Sequence, residues 1–279
     1  MSPSPATRAG NGDEPSRTGM LERSFAILGA FRPTDRAVPP AQLARRAGLS
    51  KATGHRIIQE MISLGVLEKA EDGVRLGLRM FELGQLVPLQ RNLRRAALPF
   101  MSDLREATKA TVHLAILDGT DALYVEIMQR ADNLPSRVGG RIPAYATGVG
   151  KAMLAFSPSY VVDRVIDEGP LRKLGPNTIT DPQELRRELA TIRRNGVAYD
   201  REESTPGVVC AAAPILSLDG AVVGGISVTA PTGTISPQRV APAVHIAALG
   251  LGRTLQRNME FRTEDAQGGD EPEQIAREA

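Results

Sequence analysis

The 279-residue sequence predicts an α+β protein: an N-terminal winged helix-turn-helix, then a larger body on a mainly antiparallel sheet. Three observations lead there. The front of the chain spaces apolar residues for three helices, with a glycine turn between the second and third and a short hairpin pattern after them. The body mixes apolar hairpins with helical stretches. Positive charge is concentrated at the front: Met20–Arg95 carries 13 Lys and Arg against 7 Asp and Glu, while Ala96–Arg262 is nearly balanced at 18 against 17.

Leu21, Phe25, Leu28 and Phe31 recur every three or four residues, which predicts a helix over about 20–31 with these four facing inward. Pro33 lies just beyond it. Pro40 suits the first turn of a second helix, where its missing N–H is harmless, and Ala41–Ala47 continues it. Gly48 ends that helix, since glycine takes positive φ at no steric cost. Ser50 is a good N-cap for a third helix, Lys51 to about Leu64, with Ile57, Ile58, Met61 and Leu64 on its apolar face. Ala44 is small where two helices must approach, Gly48 follows four residues later, and Ile57 comes nine after that; this is helix-turn-helix spacing. A structural helical hairpin shares it. Gly65–Lys69 as a strand, Asp72-Gly73 as a turn and Val74–Gly77 as the return strand add the wing that a plain hairpin lacks. Gly54 stands against the pattern, because it costs about 1 kcal/mol relative to Ala inside a helix and an apolar side chain is expected there.

A basic front segment suits a polyanion, here double-stranded DNA. In a winged helix-turn-helix the first residues of the last helix face base edges in the major groove. These are Lys51, Thr53, His55 and Arg56. Arg56 or Lys51 suits guanine or phosphate, and Thr53 phosphate or a thymine methyl. Lys69 and Arg75 flank the hairpin tip, within reach of phosphate or the minor groove. Arg45 and Arg46 are expected on the DNA backbone or in solvent.

Residues 85–97 read as a linker helix, with Pro88 as a break and the boundary to the body near Arg91. In the body, Pro99–Thr108 reads as a helix, Thr111–Leu117 and Ala122–Met128 as a hairpin, and Gly148–Phe156, Tyr160–Ile166 and Pro182–Asn195 as helices. Val197–Asp200, Val208–Leu216 and Ala221–Ala230 read as strands, and Pro237–Met259 as a long last helix. Small residues at Ala146–Gly150 leave backbone N–H groups free at a helix N-terminus, which suits an anion. Ser227 and Thr229 alternate onto one face of the last strand, as polar groups in an apolar sheet that need partners.

Several stretches, in this order, carry a resemblance: Ala41–Leu67 in the winged helix, then TVHLAILDG at 111–119, RIPAYATGVGKAMLA at 141–155, TITD at 178–181, VAYDREE at 197–203, GVVCAAAP at 207–214 and GISVTAP at 225–231. The sequence resembles the IclR family of bacterial transcriptional regulators over about Met20 to Gln256. The resemblance implies a GAF-like ligand-sensing body, a dimer or dimer of dimers, and an operator grip that responds to a small metabolite, often an organic or aromatic acid. It implies effector contacts at Gly148, Val149, Asp200, Cys210, Ser227 and Thr229, with apolar walls from Leu134, Ile142 and Val208. Tyr145 stands where many relatives carry His, Thr229 where some carry Ser, and Ala131 at a wall position is small. The chain then divides into a tail at 1–19, a winged domain at 20–84, a linker helix at 85–97, an effector-binding and oligomerising domain at 98–262 and an acidic tail at 263–279, both tails expected to be disordered.

Composition narrows the alternatives. No run of eighteen apolar residues is present, and the first nineteen residues lack a signal-peptide core, so no membrane partner and a cytoplasmic setting are expected. Cys210 is the single cysteine and His55, His113 and His245 lie far apart, which argues against a disulfide framework or a metal site; no cofactor is expected. An enzyme using Cys210 as nucleophile and His113 as base lacks any local nucleophile signature, and no catalytic residue is expected. A third reading is a DNA-binding protein whose body only dimerises and takes no ligand.

Overall fold

A computed structural model describes residues 19–130 and 134–267. Ala131, nearly all of the first tail and most of the acidic one lie outside them. The chain divides after Val87 into two compact units.

In the first unit, α1 (Met20–Gly29), α2 (Pro40–Arg46) and α3 (Lys51–Ser63) precede an antiparallel hairpin, β1 (Leu67–Ala70) and β2 (Gly73–Leu76), and then α4 (Leu78–Gln85). Gly48 takes φ +69° in the turn between α2 and α3. Ser50 caps α3: its hydroxyl accepts the Thr53 N–H at 3.3 Å and donates to the Thr53 hydroxyl at 2.9 Å. Val38 and Val74 exchange both backbone hydrogen bonds, at 2.8 and 2.9 Å, which ties the hairpin to the segment before α2. Ile27, Val38, Leu43, Ile57, Ile58, Met61, Leu67 and Val74 form the core.

Two expectations for this unit change. The buried line of α1 centres on Ile27, with Leu28 and Phe31 beside it, whereas Leu21 and Phe25 are 72% and 64% exposed. Apolar residues at 21, 25, 27, 28 and 31 span more of the helix than α3 covers, and the core takes the line through Ile27. Gly54 is buried, and a Cβ there would stand 2.3 Å from the Ala44 Cβ. The glycine is where α2 and α3 touch, so no side chain packs there. Arg46 also has a fixed role, because its Nη1 pairs with Asp35 at 2.6 Å and holds that carboxyl below the usual carboxylate range. Arg45 is exposed.

The second unit begins with α5 (Pro88–Thr108). The expected linker helix over 85–97 is therefore split between α4 and α5, and Pro99 lies within a helix instead of starting one. Leu93, Ala96, Ala97, Met101 and Leu104 are buried on one face of α5, and that packing outweighs the hydrogen bond lost at Pro99. There follow β3 (Thr111–Asp118), β4 (Asp121–Met128), β5 (Arg141–Pro143), a 3-10 turn at Ala144–Ala146, α6 (Gly148–Phe156), α7 (Ser159–Asp167), α8 (Pro182–Asn195), β6 (Ala198–Arg201), β7 (Val208–Leu216), β8 (Val222–Pro231) and α9 (Pro237–Gln267). The six strands run in the order β5-β4-β3-β8-β7-β6, each pair antiparallel. Neither β5 nor the 3-10 turn was expected, and α9 extends into the segment expected as an acidic tail. Alternation along β3 sets the layers: Val112 and Leu114 join the core under α5 and α9, while Ala115 joins the core under α6 and α8, with His113 on that same face. No described helix is long and apolar enough to cross a membrane.

Candidate functional sites

The outer face of α3 follows from its core face. With Gly54, Ile57, Ile58 and Met61 inward, Lys51, Ala52, His55, Arg56 and Gln59 are exposed together. Arg56 lies 4.0 Å from Glu60, both exposed, and such a pair contributes little, so the guanidinium is available to a partner. Thr53 is half-buried and engaged in the cap with Ser50. Ala52 and Gln59 were missed, although counting four back and three on from Arg56 finds both. On the hairpin, Lys69 is exposed. Arg75 is exposed as well and pairs across the strands: its Nε and Nη2 each donate to Glu68 Oε2 at 3.1 Å. The other Glu68 oxygen accepts the Leu78 N–H at 2.9 Å, and this bond together with Arg75 keeps the carboxyl below its usual range. Glu68 thus ties the return strand to the start of α4.

The second site is a narrow cavity in the body, of about 30 Å³. Strand register assembles it. Asp200 on β6 is opposite Cys210 on β7, Cys210 is opposite Thr229 on β8, and Ser227 is opposite His113 on β3. The N-terminus of α6 rests on this polar row: a Cβ at Gly148 would lie 2.5 Å from Cys210 Sγ. Thr147 caps α6, accepting the Gly150 N–H at 2.9 Å. Leu134, Ile142 and Val208 supply apolar wall, so all nine residues implied by the resemblance line one cavity. His113, Tyr124, Pro135, Ser136, Thr147, Ser204 and Thr205 line it too and were not assigned to it. Their signal was there for His113, which alternates onto the same face as Ser227 and Thr229. Tyr145 is not a lining residue; its hydroxyl donates to the Arg172 carbonyl at 2.9 Å.

Charge in the cavity is shaped by burial. His113 Nε2 is 2.7 Å from the Ser136 hydroxyl and Nδ1 is 3.1 Å from that of Thr229. Burial pushes its pKa down to about 4, so the ring is neutral at pH 7. Asp200 accepts the Glu203 N–H at 2.7 Å and the Ser204 hydroxyl at 2.6 Å, yet burial outweighs these bonds and raises its pKa. Burial also pushes the Cys210 thiol up, the reverse of an activated nucleophile, and both His113 nitrogens face hydroxyls. A Cys210–His113 catalytic pair does not fit this arrangement. Lys151, one turn into α6, is fully buried; its Nζ lies 2.7 and 2.6 Å from the two Glu203 oxygens and 3.3 Å from Glu188. The Thr178 hydroxyl donates to the Glu203 carbonyl at 2.6 Å. The turn at 200–205 is thereby held against α6.

The neutral histidine has a measurable consequence. Its ordinary pKa of 6.5 falls to about 4 in the folded chain, so between these values the unfolded chain binds the extra proton. Stability of the second unit therefore rises with pH across this window, by about 3 kcal/mol from His113 alone. Asp200 and Glu203, both raised by burial, act in the opposite sense. Urea unfolding at pH 4.5 and 7.5 isolates the histidine by difference: His113→Gln is expected to lose much less stability on acidification than the parent.

Comparison with known proteins covers both units. The IclR helix-turn-helix domain model matches residues 20–71, and that of the bacterial transcriptional regulator IclR C-terminal region matches 87–251. The HTH-type transcriptional regulator KdgR of Escherichia coli (strain K12) is 31% identical over 231 residues, covering 81% of this chain and 88% of that one. BhcR of Paracoccus denitrificans (strain Pd 1222), also an HTH-type transcriptional regulator, is 31% identical over 243 residues, 86% of each chain. Among solved structures, an IclR homologue from Microbacterium hydrocarbonoxydans complexed with 4-hydroxybenzoate superposes with a TM-score of 0.79 at 32% identity, covering 85% of this chain and 99% of that chain. With both halves of the chain matched in order, the protein belongs to the IclR family of bacterial transcriptional regulators.

Proposed function

We propose that the protein works in the cytoplasm as a ligand-responsive regulator that grips an operator through α3 and the hairpin, with the grip set by a small organic acid held in the body. The observation that carries this reading is that Gly148, Val149, Asp200, Cys210, Ser227 and Thr229, drawn from four separate elements, meet in one cavity with apolar walls. A relative with 4-hydroxybenzoate bound supports the acid. The segment at 85–97 joins the two units in sequence and carries the effect between them. A ligand shifts operator binding only through different affinities for the gripping and released arrangements.

The working form is a homodimer or a dimer of dimers. Its support is α4, which buries no side chain and leaves Leu78, Phe81 and Leu83 exposed, with Leu86 just past its end and Leu21 and Phe25 on α1. So many large apolar groups on a small unit mark a contact surface. Two winged units then read half-sites about one helical turn apart.

The test is retention of promoter fragments at several salt concentrations, with and without small carboxylic acids. Arg56→Ala and Lys51→Ala are each expected to weaken operator binding and to reduce the salt slope by about 1. Arg75→Ala is expected to weaken operator binding less than these, because its exposed guanidinium already pairs with Glu68. Unchanged operator affinity in the Lys51→Ala/Arg56→Ala double variant overturns the assignment of α3.

A further inference from the structure

We infer that Asp200 selects the ligand, and that a carboxylate enters the cavity only together with a proton, which it shares with Asp200. This rests on the reading of the cavity as the ligand site and says what that site demands. The described lining holds one carboxylate, Asp200, and no lysine or arginine. Asp200 is 3% exposed. Every charged or titratable group facing it is already accounted for. Lys151 on α6 spends its ammonium on Glu203 and Glu188. Those two carboxylates, with Asp200, set three acids around one buried base. On the sheet side stand the Cys210 thiol, the Tyr124 phenol and the neutral His113, whose nitrogens face Ser136 and Thr229. The Arg201 guanidinium stacks over the Tyr199 ring, 4.8 Å from its centroid, and Arg201 is exposed.

Among the described residues an anionic ligand thus meets an anion and no free cation. The first turn of α6 offers the Gly148 and Val149 N–H groups, and a helix N-terminus contributes only about half a charge. Two carboxylates in one desolvated site do not both stay ionised; one takes a proton from solvent and donates it to the other. Burial has already moved Asp200 in that direction before any ligand arrives. An amide or alcohol of the same shape can donate to the ionised Asp200 and needs no proton.

The experiment uses the full-length protein and a panel of monocarboxylates from acetate to benzoate, each beside its amide. Affinities are measured by calorimetry from pH 6 to 8 in two buffers of different ionisation enthalpy. The expected result is acid binding that weakens about tenfold per pH unit with uptake of about one proton, while amide binding stays flat. Asp200→Asn is expected to abolish the slope for acids and to bind them more tightly than the parent at pH 8. Binding of acids without proton uptake in the parent overturns the inference, as does a slope that persists in Asp200→Asn. Binding of amides alone, at every pH and in both proteins, overturns it and leaves the cavity standing as a ligand site. Binding of neither class overturns both.

Discussion

Gly54→Ala is expected to destabilise the winged unit by about 2 kcal/mol and to lower operator affinity, although alanine ordinarily stabilises a helix interior by about 1 kcal/mol over glycine. The added Cβ stands 2.3 Å from the Ala44 Cβ and 3.2 Å from its Cα. The obstacle is a methyl attached directly to the α2 backbone, so no flexible side chain can swing away. The helices must separate, and overpacking of that kind costs about 1–3 kcal/mol or more. The separation also moves α3 relative to the hairpin, disturbing the alignment of Lys51, His55 and Arg56 with Lys69. Amide exchange of α2 and α3 in the full chain reads the stability, and fragment retention reads the function. The sharper check is the double variant. Ala44→Gly removes the opposing methyl, so Ala44→Gly/Gly54→Ala is expected to recover most of both losses. If Gly54→Ala alone exchanges as slowly as the parent, the helices do not meet at this point.

Gly54 also shows where a sequence reading stops. Its cost to an isolated helix was visible, but the reason for it belongs to a second helix ten residues earlier in the chain. The sequence marks Ala44 as small at a close approach but carries no sign of the residue it approaches. The same divide runs through the molecule. Elements came through clearly where one periodicity governed them, as in α3, α6, α8 and the β7–β8 hairpin. They came through poorly where packing chose between options, as in α1, where Ile27 is buried and Leu21 and Phe25 are not, and in α5, which runs through Pro99.

The cavity was legible for a different reason. In antiparallel strands, opposed residues share a face, so two residues of spacing along β8 fix two places in the polar row. The resemblance supplied which face. What stayed hidden was how the polar groups satisfy one another. Arg75 and Glu68 are seven residues apart and looked like separate surface charges, yet they clasp the hairpin. Ser136 sits in the segment between β4 and β5, and nothing in its own neighbourhood of sequence points to His113.

Lys151 is the strongest case, and its removal is expected to cost most. It lies in Gly148–Phe156 among Val149, Ala152, Met153 and Leu154, a lone charge in an apolar helix. In the structure it is among the most buried side chains, with both Glu203 oxygens and one of Glu188 around it. Lys151→Met keeps much of the volume and leaves Glu203 buried without its cation. Breaking a buried pair from one side costs about 3–5 kcal/mol, most of it from the stranded charge. Glu203 already has a raised pKa from burial, with Lys151 opposing that rise. Without Lys151 the rise is larger, so the folded state holds a proton that the unfolded chain releases above its ordinary value near 4.5. The variant's stability therefore falls as pH rises from that value, and its deficit is smaller at pH 5 than at pH 8. Lys151→Met/Glu203→Leu removes both charges and is expected to regain most of the loss, as apolar replacements of buried pairs often do. Urea unfolding of the parent and both variants at the two pH values checks this. Ligand binding by the double variant then separates two roles of the pair. Glu203 donates its backbone N–H to Asp200, and Ser204 and Thr205 line the cavity, so a turn held only by apolar packing is expected to bind ligand more weakly even where stability has returned. Full recovery of both would mean that the buried pair serves the fold alone.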